Sequence, residues 1–332
     1  MNRTERSPLG RGGLAVGRHA FGAAVIGNLF RAIDDATAAD ALDAAWQSDV
    51  RYFDTAPHYG LGLSERRLGE AVRGWSRDEV IISTKVGRLL QPTHNGADDR
   101  DIDNGFDVPR DHVRVYDYSR DGVLRSIEAS LTRLGLDRID LVYVHDPDDY
   151  YESVLDGALP ALDELRSQGV IRSYGAGMNQ STMLANFVIN SDVDVVMLAG
   201  RYTLLDQSAL DDLLPAALAH NVSVVAAGVF NSGLLARDRP DPTSHFDYAT
   251  APDSLVARAT RIADICEHHG ATLPQVAVQF ALGHAAVPTV CLGARSRAQV
   301  ERNDALFDTP VPAAVWAELV EAGLLRADAP TP

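Results

Sequence analysis

The chain has 332 residues, of which 46% are apolar, and a formal net charge of -16. Its length and apolar content can bury a large core, as one large domain or as two ordinary ones. The negative charge argues against nucleic acid or an anionic membrane surface as a partner, because a phosphate backbone is bound with an excess of Lys and Arg. The N-terminus has no apolar signal segment, no apolar run reaches 18 residues, and the cysteines, Cys266 and Cys291, fit reduced thiols better than a disulfide framework. We therefore expect a cytoplasmic protein.

After a glycine- and arginine-rich start that we expect to be flexible over residues 1–13, strand-like apolar segments alternate with segments of helical periodicity. The predicted strands are Ala20–Phe30 with its loop, Val50–Thr55, Val80–Lys85, Ile139–His145, Ile171–Gly177, Asp194–Leu198, Val222–Phe230 and Val287–Gly293. The helices that follow them begin near Thr37, Ser64, Asp121, Val154, Ser181, Ser208, Ser254 and Ser296. Thr37 and Ser64 are the expected N-caps of the first two helices.

Several of these strands are continuous apolar runs, as in parallel strands that are buried on both faces. Eight of them alternating with eight helices predict a single α/β domain over residues 1–332, a closed (β/α)8 TIM barrel. The competing doubly wound dinucleotide fold requires a glycine fingerprint between its first strand and helix. The nearest match, Gly10–Ala15, neither follows a strand nor opens a helix.

Two loops, residues 89–119 after the third strand and residues 231–252 after the seventh, exceed the usual connection length. Loops of this length are commonly lids or substrate walls. The first loop is also rich in Asp and Asn, so a solvated insertion is an equally good interpretation of it.

Three strand ends and one loop carry proton-transfer groups. Asp54, Lys85 and His145 each close an apolar strand, and Tyr59 lies five positions beyond Asp54. The carboxyl ends of barrel strands meet at one mouth, so we expect these four side chains to converge there. An ordinary structural role is possible for each residue alone, but the joint placement favours catalysis.

The chemistry of this set is that of carbonyl reduction or alcohol oxidation. A tyrosine phenol in water has a pKa of about 10, and we expect the Lys85 ammonium to lower the pKa of Tyr59 while Asp54 holds Lys85 charged. His145 would bind the same substrate oxygen. None of these side chains can supply or accept a hydride, so the set implies a nicotinamide cofactor, NAD or NADP.

Two further charged clusters bear on ion binding. Asp146, Asp148 and Asp149 fit a solvated acidic loop better than a metal site, and no metal is expected. Arg295, Ser296 and Arg297 begin the last predicted helix of an otherwise acidic protein. Helix capping would explain Ser296 alone, but the local positive charge favours phosphate binding.

The segments FDTAPHYGLGLSERRLGEAV, STKVGR, LVYVHDP and LGARSRAQVERN resemble the aldo-keto reductases, and the resemblance extends over residues 14–307. It implies an eight-stranded barrel, an extended nicotinamide cofactor, and Asp54, Tyr59, Lys85 and His145 as a catalytic tetrad. GNLF, GRYTLLDQ, GVFNSGLL and HFDY are similar to a branch that comprises L-fucose, D-threo-aldose and L-galactose 1-dehydrogenases and pyridoxal 4-dehydrogenase. The implied reaction oxidises a cyclic sugar or pyridoxal hemiacetal to a lactone, with Tyr59 as base and with His58, Tyr59 and His145 contacting the substrate.

The same resemblance implies a set of cofactor contacts, among which Tyr202 would stack on the nicotinamide. The implied residues are Gly22, Asp54, Asn179, Tyr202, Val229, Phe230, Asn231, Ser232, Gly233, Leu234, Gly293, Arg295, Ser296, Gln299 and Asn303. Gly177, Met178 and Ala199 replace the Ser, Asn and Gln with which the family holds the carboxamide, which leaves Asn179 as a substitute.

Three hypotheses about function follow. The first is a dehydrogenase of sugars or pyridoxal that uses NAD or NADP. The second is an NADPH-dependent reductase of aldehydes and ketones with the same site, and the third is a non-catalytic nicotinamide-binding sensor subunit. A homo-oligomer is left open.

Overall fold

The structure, a computed structural model, describes residues 3–93, 99–241, 243, 245–247 and 249–332. It opens with an antiparallel hairpin of β1 (Ser7–Leu9) and β2 (Leu14–Val16). Leu9 and Leu14 are 0% and 2% exposed and pack into the interior of the barrel. Residues 7–9 of the segment expected to be flexible thus form a paired strand whose Leu9 fills one end of the barrel, and the flexibility of residues 1–13 stays a prediction.

The other strands follow in chain order, and eight of them form a closed parallel barrel. They are β3 (His19–Gly22), β4 (Tyr52–Asp54), β5 (Ile81–Val86), β6 (Arg88–Pro92), β7 (His112–Tyr116), β8 (Leu141–His145), β9 (Ser173–Met178), β10 (Val195–Ala199), β11 (Ser223–Ala227), β12 (His245–Phe246), β13 (Ala249–Thr250) and β14 (Thr289–Gly293). The barrel order is β3-β4-β5-β8-β9-β10-β11-β14, closed by pairing of β14 with β3. The predicted TIM barrel and all eight of its strands are confirmed.

The helices lie outside the barrel. They are α1 (Asp35–Gln47), α2 (Leu63–Val72), α3 (Arg120–Leu134), α4 (Tyr151–Ser153), α5 (Leu159–Ser167), α6 (Ser181–Asn190), α7 (Leu213–His220), α8 (Asp253–His268), α9 (Leu273–Ala281), α10 (Arg297–Ala305) and α11 (Ala313–Glu321). A π-helical segment, Val154–Ala158, joins α4 to α5. Helices α9 and α11 were not among the predicted ones. In the part of the chain that the structure describes, no helix has the length and apolarity needed to cross a bilayer.

Two predicted helix caps are wrong. Helix α1 is capped by Asp34, whose side chain accepts from the backbone N–H of Thr37 at 2.7 Å, so Thr37 is the recipient of the cap. Helix α2 starts after Gly62, which has a φ of +81°. The Ser64 hydroxyl is instead fully buried and donates to the carbonyl of Ala23, and thereby ties α2 to the loop that follows β3.

Both long loops contain antiparallel hairpins. Strands β6 and β7 pair over five positions in the first loop, and β12 pairs with β13 in the second. The first loop reaches back to the barrel mouth through a bridge between Phe106 and Leu29. Residues 94–98 of the first loop, and residues 242, 244 and Tyr248 (the last residue of HFDY) of the second, lie outside the described residues.

Candidate active site

The four predicted catalytic residues lie at one mouth of the barrel. Asp54 and His145 are the last residues of β4 and β8, and Lys85 is the penultimate residue of β5. These strands are neighbours in the parallel barrel, in which β5 pairs with both β4 and β8. Tyr59 comes from the turn between β4 and α2 and is thereby brought back over the same strands.

Lys85 is the centre of this cluster. Its Nζ donates to Asp54 Oδ2 at 2.6 Å, to Tyr59 Oη at 3.0 Å and to the backbone carbonyl of Thr55 at 3.0 Å. The side chains of Lys85 and Asp54 are 2% and 3% exposed. All three hydrogen atoms of the ammonium are thus matched by acceptors, which fixes a full positive charge beside the Tyr59 hydroxyl.

Behind Asp54, a chain of hydroxyl groups continues into the barrel. Ser83 Oγ lies 2.7 Å from Asp54 Oδ1 and 3.1 Å from Tyr52 Oη, and Tyr52 Oη lies 3.0 Å from Tyr143 Oη. These groups satisfy the carboxylate oxygen that Lys85 does not use. Asp54 is therefore held on both sides, and its orientation does not depend on solvent.

The pKa values of the central pair differ in part from expectation. Burial of the Lys85 ammonium opposes its charge, but Asp54 and Tyr59 raise the pKa of Lys85 above its ordinary value. Burial also raises the pKa of the Tyr59 phenol, and this effect outweighs the ammonium of Lys85, which lowers it. Lys85 thus acts on the pKa of Tyr59 in the predicted direction, but burial has the larger effect, and the phenol is protonated at neutral pH.

His145 stands beside Tyr59 as a neutral imidazole. The two rings are perpendicular, with centroids 5.7 Å apart. Burial, together with the positive charges of Arg88 and Lys85, holds the pKa of His145 well below its ordinary value. Arg88 is in turn paired with Asp146 at 2.8 Å. His145 can therefore hydrogen-bond a substrate oxygen without adding a charge to the site.

His58, the third residue predicted to contact the substrate, completes this group. Its ring packs edge-on against His145 at 5.4 Å and against Phe106 at 5.2 Å. Arg114 Nε donates to His58 Nδ1 at 2.5 Å. The structure thus brings His58, Tyr59 and His145 together over one small volume.

The first long loop supplies several residues that sequence reasoning missed. Phe106 is 2% exposed and packs beside Tyr59 with a centroid distance of 6.1 Å. Tyr116 and Tyr118 of this loop form an aromatic stack with Tyr150, which directly precedes α4, beside Arg88, with centroids 5.0–6.3 Å apart. Nothing in the sequence marks these aromatic residues, because they meet through loop packing. Their positions favour the substrate-wall interpretation of this loop.

Glycines keep the rim between the catalytic cluster and β14 free of side chains. Gly22 of β3 lies between Asp54 of β4 and Gly293 of β14 in the barrel register. A Cβ on Gly22 would lie 3.1 Å from Cys291 Sγ, and one on Gly293 would lie 3.1 Å from Val25 Cγ1. Both contacts are tighter than ordinary packing. A side chain at either position would be crowded by its neighbours, so only glycine backbone lines the rim there.

The turn after β11 has an unusual backbone. Asn231, Ser232 and Gly233 have φ values of +45°, +56° and +101°, and a Cβ on Gly233 would meet nothing within 4 Å. Consecutive residues in the left-handed region form concave backbone surfaces that suit anions. Val229 and Leu234 are buried in the core, at 1% and 0% exposure, so only their backbone can face a ligand, whereas Phe230 is partly exposed.

The predicted anion site at α10 is only partly as expected. Ser296 accepts from the backbone N–H of Gln299 as the N-cap, and the Gln299 side chain accepts from the backbone N–H of Arg295. Arg297 turns away and pairs with Asp40 and Asp43 of α1, which neutralises it. Phosphate binding by this segment stays a prediction, in which Arg295 is the cation that has no carboxylate partner among the described residues.

Tyr202 and Asn179 differ in how well they suit their predicted cofactor contacts. Tyr202 is 2% exposed and packs against Phe280 and His284 of the α9 region, with centroids 4.9 and 5.9 Å away. Its stacking on the nicotinamide stays a prediction. Asn179 directly follows β9 at the mouth and is partly exposed, as a carboxamide partner would need to be.

The residues present fit a nicotinamide dinucleotide. Asn231 Oδ1, after β11, and Arg295 Nε, after β14, are buried and have no hydrogen-bond partner among the described residues. Asn303, 3% exposed, donates to the carbonyl of Gly293 at 3.3 Å and supports the glycine-lined rim from α10. Orphaned polar atoms of this kind normally acquire partners, and an extended polar cofactor supplies them.

The chain is similar to known proteins over nearly its whole length. Residues 18–323 match the model of the "Aldo/keto reductase family". The chain is similar to D-threo-aldose 1-dehydrogenase of Pseudomonas sp (46% identity, covering 96% of this chain and 97% of that protein) and to pyridoxal 4-dehydrogenase of Microbacterium luteolum (38%, covering 98% and 99%). Among solved structures, the holo form of an aldo-keto reductase from Bacillus halodurans aligns with a TM-score of 0.74 at 26% identity and covers 97% of each chain.

The family match spans the barrel and every member of the tetrad, and the relatives are matched over nearly their whole lengths. The chain therefore belongs to the aldo/keto reductase family and is an NAD(P)-dependent oxidoreductase.

Proposed function

We propose that this protein oxidises the anomeric carbon of an aldose, such as L-fucose or a D-threo-aldose, to a lactone. The observation that carries the proposal is the contact of Lys85 with both Asp54 and Tyr59, beside a neutral His145. The similarity to D-threo-aldose 1-dehydrogenase supports an aldose as substrate. Two free, buried cysteines support a reducing compartment such as the cytoplasm.

The roles of the residues follow from their contacts. The anomeric hydroxyl binds between Tyr59 and His145, within reach of both side chains. Tyr59 accepts the hydroxyl proton as a phenolate, and the charge of Lys85 stabilises that phenolate. The bound nicotinamide supplies an acceptor for the hydride that leaves the anomeric carbon. Asn179 and Asn231 are proposed to hold its amide end, the backbone of residues 229–234 its phosphates, and Arg295 its adenosine end.

The raised pKa of Tyr59 sets the expected pH dependence. At neutral pH only a small fraction of the phenol is ionised, and this fraction grows about tenfold per pH unit. We expect kcat/KM for oxidation to rise with pH, since oxidation needs the phenolate. Reduction of an aldehyde needs the protonated phenol, which remains the dominant form, so its rate should change little over the same range of pH.

A substrate screen tests the proposal. L-Fucose, D-arabinose, L-galactose, pyridoxal and simple aldehydes would each be assayed in the direction they allow, with NAD or NADP in the matching oxidation state, by following nicotinamide absorbance. We expect the highest kcat/KM for oxidation of an aldose, with a lactone as the product. Turnover confined to reduction of simple aldehydes would contradict the proposal.

Oxidation of pyridoxal is the second candidate. It is favoured by the 38% identity to pyridoxal 4-dehydrogenase and by the aromatic stack of Tyr116, Tyr118 and Tyr150, which suits a planar ring. A higher kcat/KM for pyridoxal than for every aldose in the same screen would select this candidate. A non-catalytic sensor role is opposed by the complete tetrad, and it would require cofactor binding without turnover on any of these compounds.

A further inference from the structure

The first long loop holds His58 through a buried ion pair. Arg114 on β7 donates to His58 Nδ1 from Nε at 2.5 Å and to the His58 backbone carbonyl from Nη2 at 3.0 Å. The same guanidinium donates to both oxygens of Asp101, at 2.9 and 2.5 Å. The side chains of Arg114 and Asp101 are 8% and 1% exposed. Such a bidentate pair fixes the plane of the guanidinium and hence the direction of its Nε–H.

This contact determines the tautomer of His58. A guanidinium has only donors, so Nδ1 of His58 must be the acceptor, and the ring proton then lies on Nε2. Among the described residues, Nε2 has no hydrogen-bond partner. The ring lies edge-on to His145 and 6.2 Å from the ring of Tyr59, so its free N–H belongs to the substrate volume.

His58 also stays neutral in these surroundings. The charged and titratable groups that face it are Arg114, Arg88, Lys85, Asp101, Tyr59 and His145. Burial, with the charges of Arg114, Arg88 and Lys85, lowers the pKa of His58 to about 2. Its ring is therefore a donor of fixed direction and no charge over the whole working range of pH.

We propose that Asp101 and Arg114 are positioning residues that hold His58 as a hydrogen-bond donor to the substrate hydroxyl next to the reacting carbon. This inference rests on the proposed function, in which Tyr59 and His145 hold the oxygen of the reacting carbon itself. Hydroxyls on adjacent carbons of a sugar are close enough to be held by donors whose rings touch. The site then selects substrates with two neighbouring oxygens over those with one.

Such selection is effective because a substrate without the second hydroxyl leaves the ring N–H of His58 unpaired, which costs free energy of binding. The test compares kcat/KM for the best aldose with kcat/KM for its 2-deoxy analogue, in the wild type and in Arg114→Met. We expect the wild type to prefer the aldose by at least about tenfold, and the variant to lose most of this preference through kcat/KM for the aldose. Arg110→Met is the matched control, because Arg110 lies in the same loop, 3.9 Å from Asp101, and pairs with Asp103 rather than His58.

The nitrogen-15 NMR shifts of the His58 ring give a readout that does not depend on turnover, with His58→Gln to assign the signals. The wild type and Arg110→Met should show Nε2 protonated and Nδ1 unprotonated, and Arg114→Met should show a mixture of tautomers. If Arg114→Met is unstable, the double variant Asp101→Asn/Arg114→Met removes both charges together and gives the same two readouts.

The outcomes separate this inference from the proposed function. A mixed tautomer in the wild type, or an unchanged preference for the aldose in Arg114→Met, would overturn the positioning role. An equal loss of kcat/KM for both sugars would show a purely structural role and would also overturn it. Failure of the wild type to oxidise any aldose would defeat the proposed function, and the NMR readout would then still decide whether Arg114 sets the tautomer.

Discussion

The catalytic groups and the wall that faces them are held by different kinds of structure. Asp54, Lys85 and His145 end adjacent strands of a closed barrel, where parallel pairing fixes their relative positions. Phe106 and Arg114 come from a loop that reaches the mouth through side-chain contacts and a single bridge to Leu29. We infer from this comparison that the proposed chemistry depends on the barrel, and that the proposed selectivity depends on a loop that can vary without disturbing the barrel.

Removal of the Tyr59 hydroxyl is the strongest test of the chemistry proposed for the barrel mouth. For Tyr59→Phe we expect kcat to fall by about 10²–10⁴-fold, since the acid/base group is lost while the ring is kept. Steady-state kinetics measure the loss, and circular dichroism checks the fold. Tyr151→Phe, on helix α4 outside the barrel, is the control and should change kcat little. A kcat for Tyr59→Phe close to that of the wild type would refute the role of Tyr59.

Lys85→Met tests whether the buried pair is structural as well as catalytic. It leaves Asp54 charged and without its partner at 3% exposure, so we expect a loss of about 3–5 kcal/mol in the free energy of unfolding. Urea denaturation measures it. The double variant Asp54→Asn/Lys85→Met should recover part of the loss, because no lone charge is then buried. Arg73→Met, which breaks the exposed pair with Glu70, should cost less than about 1 kcal/mol.

The end of the barrel that the N-terminal hairpin fills carries none of the candidate catalytic residues. Leu9→Ala in the N-terminal hairpin removes a fully buried side chain, and we expect it to cost about 2–5 kcal/mol of unfolding free energy and to leave kcat unchanged. Leu218→Ala, at a site that is 50% exposed, is the control and should stay within about 0.5 kcal/mol of the wild type. A stability effect of Leu9→Ala as small as that of Leu218→Ala would instead support a flexible start of the chain.

The effect of His58 on stability depends on pH. Its pKa is about 2 in the folded protein against 6.5 as the ordinary value, so between these values the unfolded chain binds one more proton at this site. The stability that His58 contributes is therefore present above pH 6.5 and is lost as pH falls. For His58→Gln we expect the slope of unfolding free energy against pH, from about pH 6 to about pH 4, to be lower by about 1.4 kcal/mol per unit.

Urea titrations at several pH values measure this slope. His220→Gln, which changes an exposed histidine at the end of α7, should leave the slope as it is in the wild type. An unchanged slope in His58→Gln would mean that His58 titrates normally in the folded protein. His58 would then not be the neutral hydrogen-bond donor that we propose.

The same comparison explains what the sequence could and could not predict. Strand periodicity placed Asp54, Lys85 and His145 at one mouth, because parallel strands of a barrel all end on the same side. The partnership of His58 with Arg114, 56 residues away, depends on how a loop folds back, and no local pattern encodes it. The pairing of Arg297 with α1 carboxylates and the packing of Tyr202 against α9 are likewise tertiary contacts that no local pattern encodes.

Transfer of the anomeric hydrogen is the most direct test of the central claim, that the four converging groups support hydride removal from a sugar carbon. The best aldose, deuterated at its anomeric carbon, would be oxidised by the wild-type protein, and the products would be analysed by mass spectrometry. The account predicts that the deuterium is recovered in the reduced nicotinamide and that the sugar is recovered as a lactone. Deuterium released into water, or retained in the sugar product, would contradict it.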